Sequence, residues 1–236
     1  MRSGANAPLL TNKDSMHVNA YIFDFDGLIL DTETVEYELW RRQLAEYGVD
    51  LSVETWGQCV GASFAAFHPM DYLESQLGRR LPERQDIIER SRTIAQQATN
   101  QTDALPGVTD FIVDAYAAGV RLAVASSSPR SWVVGHLKRL DLFRYFPVVC
   151  TSENVARLKP APDLFLLAAQ RLGVQPAECV VFEDSHNGIA AAKAAGMFCI
   201  TVPNVITSYM DLSAADMQSH SFTAIPFAQL HAALNK

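Results

Sequence analysis

The sequence predicts an α/β fold, a doubly wound parallel sheet with a helical insertion after its first strand, and three observations support it. Five short apolar runs are each followed by a helical pattern, which is typical of parallel strands covered on both faces. No strand pattern occurs between residues 34 and about 103. Acidic side chains directly follow two of the apolar runs. We therefore expect a ligand site at the carboxyl edge of the sheet.

The core elements are predicted in order from these runs. Strands are predicted over residues 19–25, 121–127, 147–152, 179–185 and 197–202. The helices between them are predicted over residues 109–119, 130–140, 161–173 and 187–196, and three of these end near a glycine that can cap a helix. Residues 221–225 are predicted to add an edge strand.

The insertion is predicted to be helical throughout. Tyr37, Trp40, Leu44 and Tyr47 recur at spacings of three and four, which places them on one face of an amphipathic helix. Further helices are predicted over residues 63–78 and 82–98. Because connections between strands and helices are usually short, an insertion of this length indicates a small helical subdomain above the carboxyl edge of the sheet.

Composition excludes several function classes. The chain has 236 residues with 49% hydrophobic content, and 19 basic against 26 acidic residues give a net charge of -7. No basic block is present to neutralise a nucleic acid, and no apolar stretch approaches the roughly 20 residues that span a bilayer. We expect a cytoplasmic monomer or weak dimer with no nucleic acid or membrane partner, and a flexible tail over residues 1–18 without a secretory signal.

The four cysteines are expected to be free thiols. They are widely spaced and form no CxxC pair, and a buried free cysteine behaves as a small hydrophobe. They are Cys59, Cys150, Cys179 and Cys199.

Two aspartates one residue apart close the first apolar run. Alternation along a strand places Asp24 and Asp26 on the same side, with Phe25 facing the other way. Two like charges at the end of a buried strand repel each other, and a divalent cation would remove that repulsion because hard cations take carboxylate oxygens. The alternative is a pair of solvated turn residues, since Asp is common in turns and Gly27 follows at once.

A second acidic pair, Glu183 and Asp184, follows the fourth predicted strand in the same way. In a doubly wound sheet all such strand ends lie at one edge, so four carboxylates from two strands converge there. Oxygen ligands of this kind suit Mg²⁺, which keeps water or substrate phosphate in its remaining positions. The alternative is that Asp184 or Ser185 only caps the following helix.

Two further strand ends carry groups that suit an anion. Ser126, Ser127 and Ser128 precede a predicted helix, where hydroxyls and backbone N–H groups bind anions, although serines there can also simply cap the helix. Lys159 follows the third strand beside two prolines that stiffen the backbone. An isolated lysine is usually a solvated surface charge, and Lys159 gains interest only because the other strand ends are organised around an anion.

Four motifs in this order along the chain resemble those of the haloacid dehalogenase-like hydrolase superfamily: DFDGLILDTE, ASSS, LKPAPD and FEDSHNGIAAAKAAG. The resemblance is closest to the branch of phosphatases and β-phosphoglucomutase with a helical cap, and it covers nearly the whole chain from about residue 18. It implies a Rossmann-like core over residues 19–33 and 104–236, an inserted α-helical cap domain over residues 34–103, a Mg²⁺ ion and an aspartyl-phosphate intermediate.

The resemblance also implies a role for each matching residue. Asp24 is the expected nucleophile, and Asp26 is the expected general acid and base. Ser126, the Ser127 amide and Lys159 are expected to bind the phosphoryl group. The expected metal-binding residues are Asp24, Asp26 through its backbone carbonyl, Asp184, and Glu183 directly or through water. These roles agree with the chemistry, because a carboxylate attacks a phosphoryl group of like charge only if nearby cations cancel that charge.

Some positions depart from the family pattern. Leu158 precedes the lysine where the family often has glycine. Glu36 stands where β-phosphoglucomutase has a histidine in its first cap helix, and the phosphate-binding arginine of that cap has no clear match in residues 59–71. Both differences count against a mutase. The absence of lysine from residues 34–103 counts against a Schiff-base phosphonate hydrolase, and the presence of Asp26 counts against a dehalogenase.

The predicted function is a Mg²⁺-dependent phosphatase of a small phosphorylated metabolite such as a sugar phosphate. The cap is expected to close over the substrate and to choose the leaving group, through side chains predicted from position alone: Glu36, Phe64, Phe67 and His68. His68 can equally be a packing or surface histidine. The alternatives are a β-phosphoglucomutase-like phosphomutase and, from a different class, a phospho-accepting signalling module.

Overall fold

The computed structural model describes residues 16–57 and 67–236. Within these residues six strands form one sheet: β1 (Ala20–Phe23), β2 (Arg121–Ala125), β3 (Val148–Cys150), β4 (Cys179–Glu183), β5 (Phe198–Thr201) and β6 (Met217–Gln218). Their order is β3-β2-β1-β4-β5-β6, and every neighbouring pair is parallel. The chain therefore builds outward from β1 in both directions, which confirms the predicted doubly wound Rossmann-like sheet.

Helices cover both faces of the sheet, as its apolar strands require. The core helices are α5 (Val108–Ala117), α6 (Arg130–Arg139), α7 (Asp163–Leu172), α8 (His186–Ala194) and α9 (Phe227–Leu234). Tyr21 and Phe23 of β1 pack with α5, α6 and α9, whereas Ala20 and Ile22 pack with α7 and α8. This alternation along β1 gives the protein two hydrophobic cores, one on each face of the sheet.

The predicted edge strand at residues 221–225 is wrong. Residues Phe222–Ala224 form a 3-10 turn, which Ser221 caps by accepting a hydrogen bond from the Thr223 N–H at 3.1 Å. Phe222 is buried in the core that contains Phe23, so an apolar side chain in this segment indicated burial rather than strand pairing. The edge strand is β6, a few residues earlier.

The insertion between β1 and β2 forms the predicted helical cap. Its helices within the described residues are α1 (Thr32–Ala45), α2 (Val53–Trp56), α3 (Pro69–Leu77) and α4 (Arg84–Thr99). Tyr37, Trp40 and Leu44 of α1 face a separate hydrophobic core, as their spacing predicted, and Ile206 from the loop after β5 also belongs to it. The cap core therefore includes a residue of the sheet domain.

In the described part of the helix predicted over residues 63–78, residues 67 and 68 are not helical and α3 covers Pro69–Leu77. Residues 58–66 lie outside the described residues, and α3 begins at Pro69, with the His68 Nδ1 accepting a hydrogen bond from the Met70 N–H at 3.1 Å. A proline fits the first turn of a helix because it lacks the N–H that a helix leaves unpaired there. The start of α3 thus follows local capping rather than the apolar pattern.

The described residues test part of what the sequence predicted about the cysteines, membrane spans and the N-terminal tail. Cys150, Cys179 and Cys199 are buried free thiols, and Cys59 lies outside the described residues. In residues 16–57 and 67–236, no helix has the length and apolar character of a membrane span. Of the predicted tail, residues 1–15 are not described, whereas Met16 and Val18 pack against the core.

Candidate active site

The parallel sheet brings the polar residues that follow its strands to one edge. Asp24 follows β1, Ser126 follows β2, Glu183 ends β4 and Asp184 follows it, while Lys159 lies in the segment between β3 and α7. Ion pairs join Lys159 directly to Asp24 and Glu183, although these residues are far apart in sequence. The convergence that the strand ends predicted is therefore present.

Lys159 is buried between two carboxylates. Its Nζ donates to Asp24 Oδ1 at 2.5 Å and to Glu183 Oε1 at 2.7 Å, and its side chain is only 5% exposed. The same ammonium lies 4.7 Å from the centre of the Phe165 ring, where the ring face attracts a cation. Lys159 is thus a buried ion-pair partner and not a solvated surface charge.

The edge of the sheet holds three buried carboxyl groups, Asp24, Glu183 and Asp184, and the single ammonium of Lys159. Burial raises the pKa of Asp24 to about 7, with Lys159 opposing the rise and Glu183 and Asp26 adding to it. Burial and Glu183 also raise the pKa of Asp184 well above its usual value. Burial lowers the pKa of Lys159, but its two ion pairs outweigh burial, so that its pKa rises. A second cation would relieve this imbalance.

Asp24, Glu183 and Asp184 form a cluster that fits a divalent cation. Each offers one carboxylate oxygen, these oxygens all lie within 4.8 Å of one another, and all three residues are buried. Hard divalent cations prefer carboxylate oxygens, and the cluster contains only such donors. The donor set therefore matches the kind of metal that the sequence predicted.

Glu183 differs from the other two carboxylates because donors already occupy both of its oxygens. Oε1 accepts from Lys159, and Oε2 accepts from the Asp184 N–H at 2.9 Å and from the N–H and hydroxyl of Ser185 at 3.0 Å each. Helix α8 packs directly on this carboxylate, since a Cβ at Gly188 would overlap it. Glu183 therefore shapes the turn after β4 as well as facing the cluster.

Ser185, not Asp184, caps helix α8. Its Oγ accepts a hydrogen bond from the Gly188 N–H at 3.1 Å. The sequence offered both Asp184 and Ser185 as caps for this helix. Because Ser185 is the cap, the Asp184 carboxylate stays available to the metal-binding cluster. Asp184 instead accepts a hydrogen bond from the Asn204 amide at 2.8 Å, a contact that no sequence pattern indicated.

Asp26 is held by donors from the segment after β2. Its Oδ2 accepts from the Ser128 hydroxyl at 2.6 Å and from the Ser126 hydroxyl at 3.3 Å, and its Oδ1 accepts from the Trp132 indole N–H at 2.8 Å. Ser127 is exposed. Sequence reasoning missed Trp132, because an indole within the apolar pattern of α6 resembles an ordinary core residue.

The first turns of α1 add two carboxyl groups on the cap side of the site. Glu36 has its pKa raised to about 7 by burial and by the nearby charge of Asp26. Burial, Glu36 and Asp26 raise the pKa of Glu33 to about 8. Glu36 was predicted as a substrate-facing residue, and the charge of Asp26 acts on it. Glu33 was not predicted as a site residue, although it is the last residue of the motif DFDGLILDTE.

Two other predicted cap residues, His68 and Phe67, contact side chains of the cap. His68 caps α3 and packs edge-to-face on Trp40, with 6.0 Å between ring centroids. Burial and Arg84 lower its pKa. Phe67 packs against Tyr72, and Phe64 lies outside the described residues. His68 and Phe67 therefore contribute to packing within the cap.

This fold and this site define an α/β enzyme whose buried acidic edge suits a divalent cation and an anionic substrate. The chain matches the family of haloacid dehalogenase-like hydrolases over residues 21–202. It is 43% identical over 218 residues to the protein named "Putative phosphatase YhcW" of Bacillus subtilis, covering 92% of this chain and 98% of that one. It is 34% identical over 190 residues to Fructose-1-phosphate phosphatase YqaB of Escherichia coli, covering 77% and 94%.

A solved structure agrees with these relatives. A crystal structure of a hydrolase of this family from Deinococcus radiodurans, with bound phosphate and sodium, superposes with a TM-score of 0.76 at 29% identity, covering 94% of this chain and 99% of that one. The chain belongs to the haloacid dehalogenase-like hydrolases. Within that family it is a phosphatase, a hydrolase of phosphoric monoesters.

Proposed function

We propose that this phosphatase depends on Mg²⁺ and hydrolyses a small phosphorylated metabolite, such as a sugar phosphate, through an aspartyl-phosphate intermediate. The observation that carries the proposal is the buried contact of Lys159 with Asp24 and Glu183, beside the buried carboxylate of Asp184. This arrangement presents one carboxylate nucleophile with a cation already in contact. The relative that acts on fructose 1-phosphate supports a carbohydrate as the alcohol part of the substrate.

In this proposal Asp24 forms the bond to phosphorus. Lys159 holds one oxygen of Asp24 and lowers the repulsion between the carboxylate and the incoming phosphoryl group. The hydroxyl of Ser126 and the backbone amide of Ser127 receive the phosphoryl oxygens at the start of α6. Asp24, Asp184, the backbone carbonyl of Asp26 and Glu183 would hold Mg²⁺. The ion would supply positive charge beside the phosphoryl oxygens.

Asp26 moves the proton in both half-reactions. It protonates the leaving oxygen while Asp24 becomes phosphorylated, and it then takes a proton from the water that releases phosphate. The donors from Ser128 and Trp132 orient its carboxyl group. One group can serve as acid and then as base because the two displacements run in opposite directions at one phosphorus atom.

The cap is proposed to select the alcohol part of the substrate. Residues 34–103 form this cap and residues 19–33 with 104–236 form the core in our division of the chain. The charge of Asp26 raises the pKa of Glu36, and Glu36 is the cap side chain that we place at the leaving group. Carboxyl groups there accept hydrogen bonds from sugar hydroxyls and repel a second anionic group.

A panel of phosphate esters tests the proposed function. With Mg²⁺, we expect hexose and hexitol monophosphates to release one phosphate per substrate consumed, and bisphosphates to react more slowly. Released phosphate and the remaining sugar are measured together, with EDTA as the control. An isomerised sugar phosphate without released phosphate would identify a mutase, and a stable phosphoprotein without turnover would identify a signalling module.

We expect the stabilisation by Mg²⁺ to increase with pH. The pKa of Asp24 is raised to about 7 in the folded protein, against about 4 for an unfolded aspartate. The metal-free fold therefore gains stability from this group below about pH 4 and loses it as pH rises to about 7. Metal binding removes that loss because it requires the ionised carboxylate.

The measurement compares thermal unfolding midpoints in Mg²⁺ and in EDTA at several values of pH from about 5 to 8. The difference between the two midpoints should grow over this range. The Asp24→Asn variant is the control, and its difference should depend less on pH. A difference that stays constant with pH in the parent protein would contradict this expectation.

A further inference from the structure

Asn204 is a buried amide in the loop that follows β5. Only 6% of the residue is exposed, and its side chain makes four hydrogen bonds. The Nδ2 group donates to the Gly27 carbonyl at 3.0 Å and to Asp184 Oδ2 at 2.8 Å. The Oδ1 atom accepts from the N–H groups of Ile206 at 2.9 Å and Thr207 at 3.0 Å. Two donors and two acceptor positions are thus all used.

These contacts fix which end of the amide faces Asp184. Two backbone N–H groups point at one end, and an N–H accepts no hydrogen bond, so this end must be the oxygen. The other end meets a carbonyl and a carboxylate, both acceptors, and must be the nitrogen. Rotating the amide by half a turn would break all four contacts. Asn204 therefore presents a fixed donor to Asp184.

The two groups that Nδ2 contacts belong to the two acidic motifs of the site. Asp184 comes from the turn after β4, and Gly27 follows Asp26 in the turn after β1. Gly27 has a φ of 78°, and a Cβ at this position would overlap Asp184 Oδ2 and the Asn204 amide. Glycine is thus required for both turns to meet at the amide.

The loop that carries Asn204 is anchored on its far side by the cap. Ile206 is 1% exposed and belongs to the hydrophobic core of the cap helices. Within the loop, the Asn204 N–H donates to the Thr207 Oγ1 at 3.0 Å. The position of the amide therefore depends on packing against the cap as well as on the sheet.

We propose that Asn204 is a positioning residue for the divalent metal, because it holds the Asp184 carboxylate in the orientation that faces Asp24 and joins it to the turn after the nucleophile. The inference rests on the proposed function, in which Asp184 binds the metal. Partners of this kind, which contact a ligand and not the metal, typically change metal affinity by ten- to a hundredfold when removed. In this role Asn204 acts through Asp184.

Two variants of the full-length chain separate positioning from loop stability. In Asn204→Ser, the shorter hydroxyl can still accept from the following N–H groups, as serine does in such turns, but it does not reach Asp184. In Thr207→Val, the loop loses the acceptor for the Asn204 N–H while the contact with Asp184 remains. Calorimetric titration with Mg²⁺ alone, without substrate, gives the affinity, and thermal unfolding in EDTA gives the stability.

We expect Asn204→Ser to weaken Mg²⁺ binding by about tenfold or more and also to lower the unfolding midpoint in EDTA, because the Gly27 carbonyl and Asp184 each lose a buried hydrogen-bond donor. Thr207→Val should lower the midpoint and leave Mg²⁺ affinity within about twofold of the parent. Equal affinity in Asn204→Ser and the parent, or equal losses of affinity in both variants, would overturn the inference alone. A parent protein that binds no Mg²⁺ would overturn the proposed metal dependence together with it.

Discussion

Replacing Asp24 with asparagine is expected to abolish turnover while the protein stays folded. Asparagine has almost the same shape, but its amide does not form a bond to phosphorus. Asp24 is a buried carboxylate near Glu183 and Asp26, which raise its pKa in addition to burial. Removing its charge therefore relieves repulsion, and Lys159 keeps its ion pair with Glu183. We expect kcat to fall by more than about a thousandfold, as on loss of a nucleophile.

The measurement is released phosphate from the best substrate of the panel, together with the unfolding midpoint. Asp114→Asn is a matched control, since Asp114 lies on the exposed side of α5 and makes the same change of charge and shape far from the site. This control should keep parental activity. More than a trace of activity in Asp24→Asn, at a parental unfolding midpoint, would exclude the aspartyl-phosphate mechanism.

Replacing Lys159 with methionine is expected to remove both activity and much of the stability. Methionine keeps the unbranched stem, but Asp24 and Glu183 lose the ammonium that lies between them. Breaking a buried ion pair on one side leaves uncompensated charge and typically costs about 3–5 kcal/mol. We expect a loss in this range in EDTA near neutral pH, and a smaller loss with Mg²⁺, because the metal supplies positive charge to the same carboxylates.

Lys193→Met is the matched control for this experiment. Lys193 also pairs with an aspartate, Asp216, at 2.5 Å, but its side chain is 39% exposed. Water screens such a pair, so its removal should lower the free energy of unfolding by less than about 1 kcal/mol. Denaturant titrations of both variants measure the difference. Similar small losses at the two positions would show that the Lys159 ion pairs contribute little.

Lys159→Met also tests the cause of the instability. In EDTA, lowering the pH protonates Asp24, whose pKa burial raises to about 7, so the variant should lose less relative to the parent at about pH 5 than at about pH 7. A loss that does not change with pH would indicate disturbed packing, for example against Phe165, instead of unpaired charge.

Periodicity and strand ends were sufficient to predict most of the fold. The continuous apolar run at residues 20–23 predicted a strand buried on both faces, and these residues divide between the two faces of the sheet. The spacing of Tyr37, Trp40 and Leu44 likewise predicted the buried face of α1. These patterns are reliable because a strand repeats every two residues and a helix about every 3.6. The prediction of an edge strand at residues 221–225 was wrong because a segment this short does not show a period.

The candidate site was predicted as a set of residue types and not as a set of contacts. Acids after β1 and β4 indicated a metal cluster, and a parallel sheet brings strand ends together whatever their side chains are. The sequence left open whether Lys159 is buried, which residue caps α8, and whether His68 faces substrate. Each of these depends on neighbours from other elements, so no local pattern answers them.

Trp132 and Asn204 are two site residues that only the tertiary structure revealed. Trp132 lies 106 residues from its acceptor Asp26, and Asn204 lies 177 residues from the Gly27 carbonyl. An indole in an apolar helix and an asparagine in a turn are ordinary in sequence, because their local roles are packing and capping. Their contacts with the site arise only when α6 and the loop after β5 pack at the same edge of the sheet. Short sequence motifs were enough to predict the type of reaction. The orientation of the reacting side chains depends on packing between residues that lie far apart in the sequence.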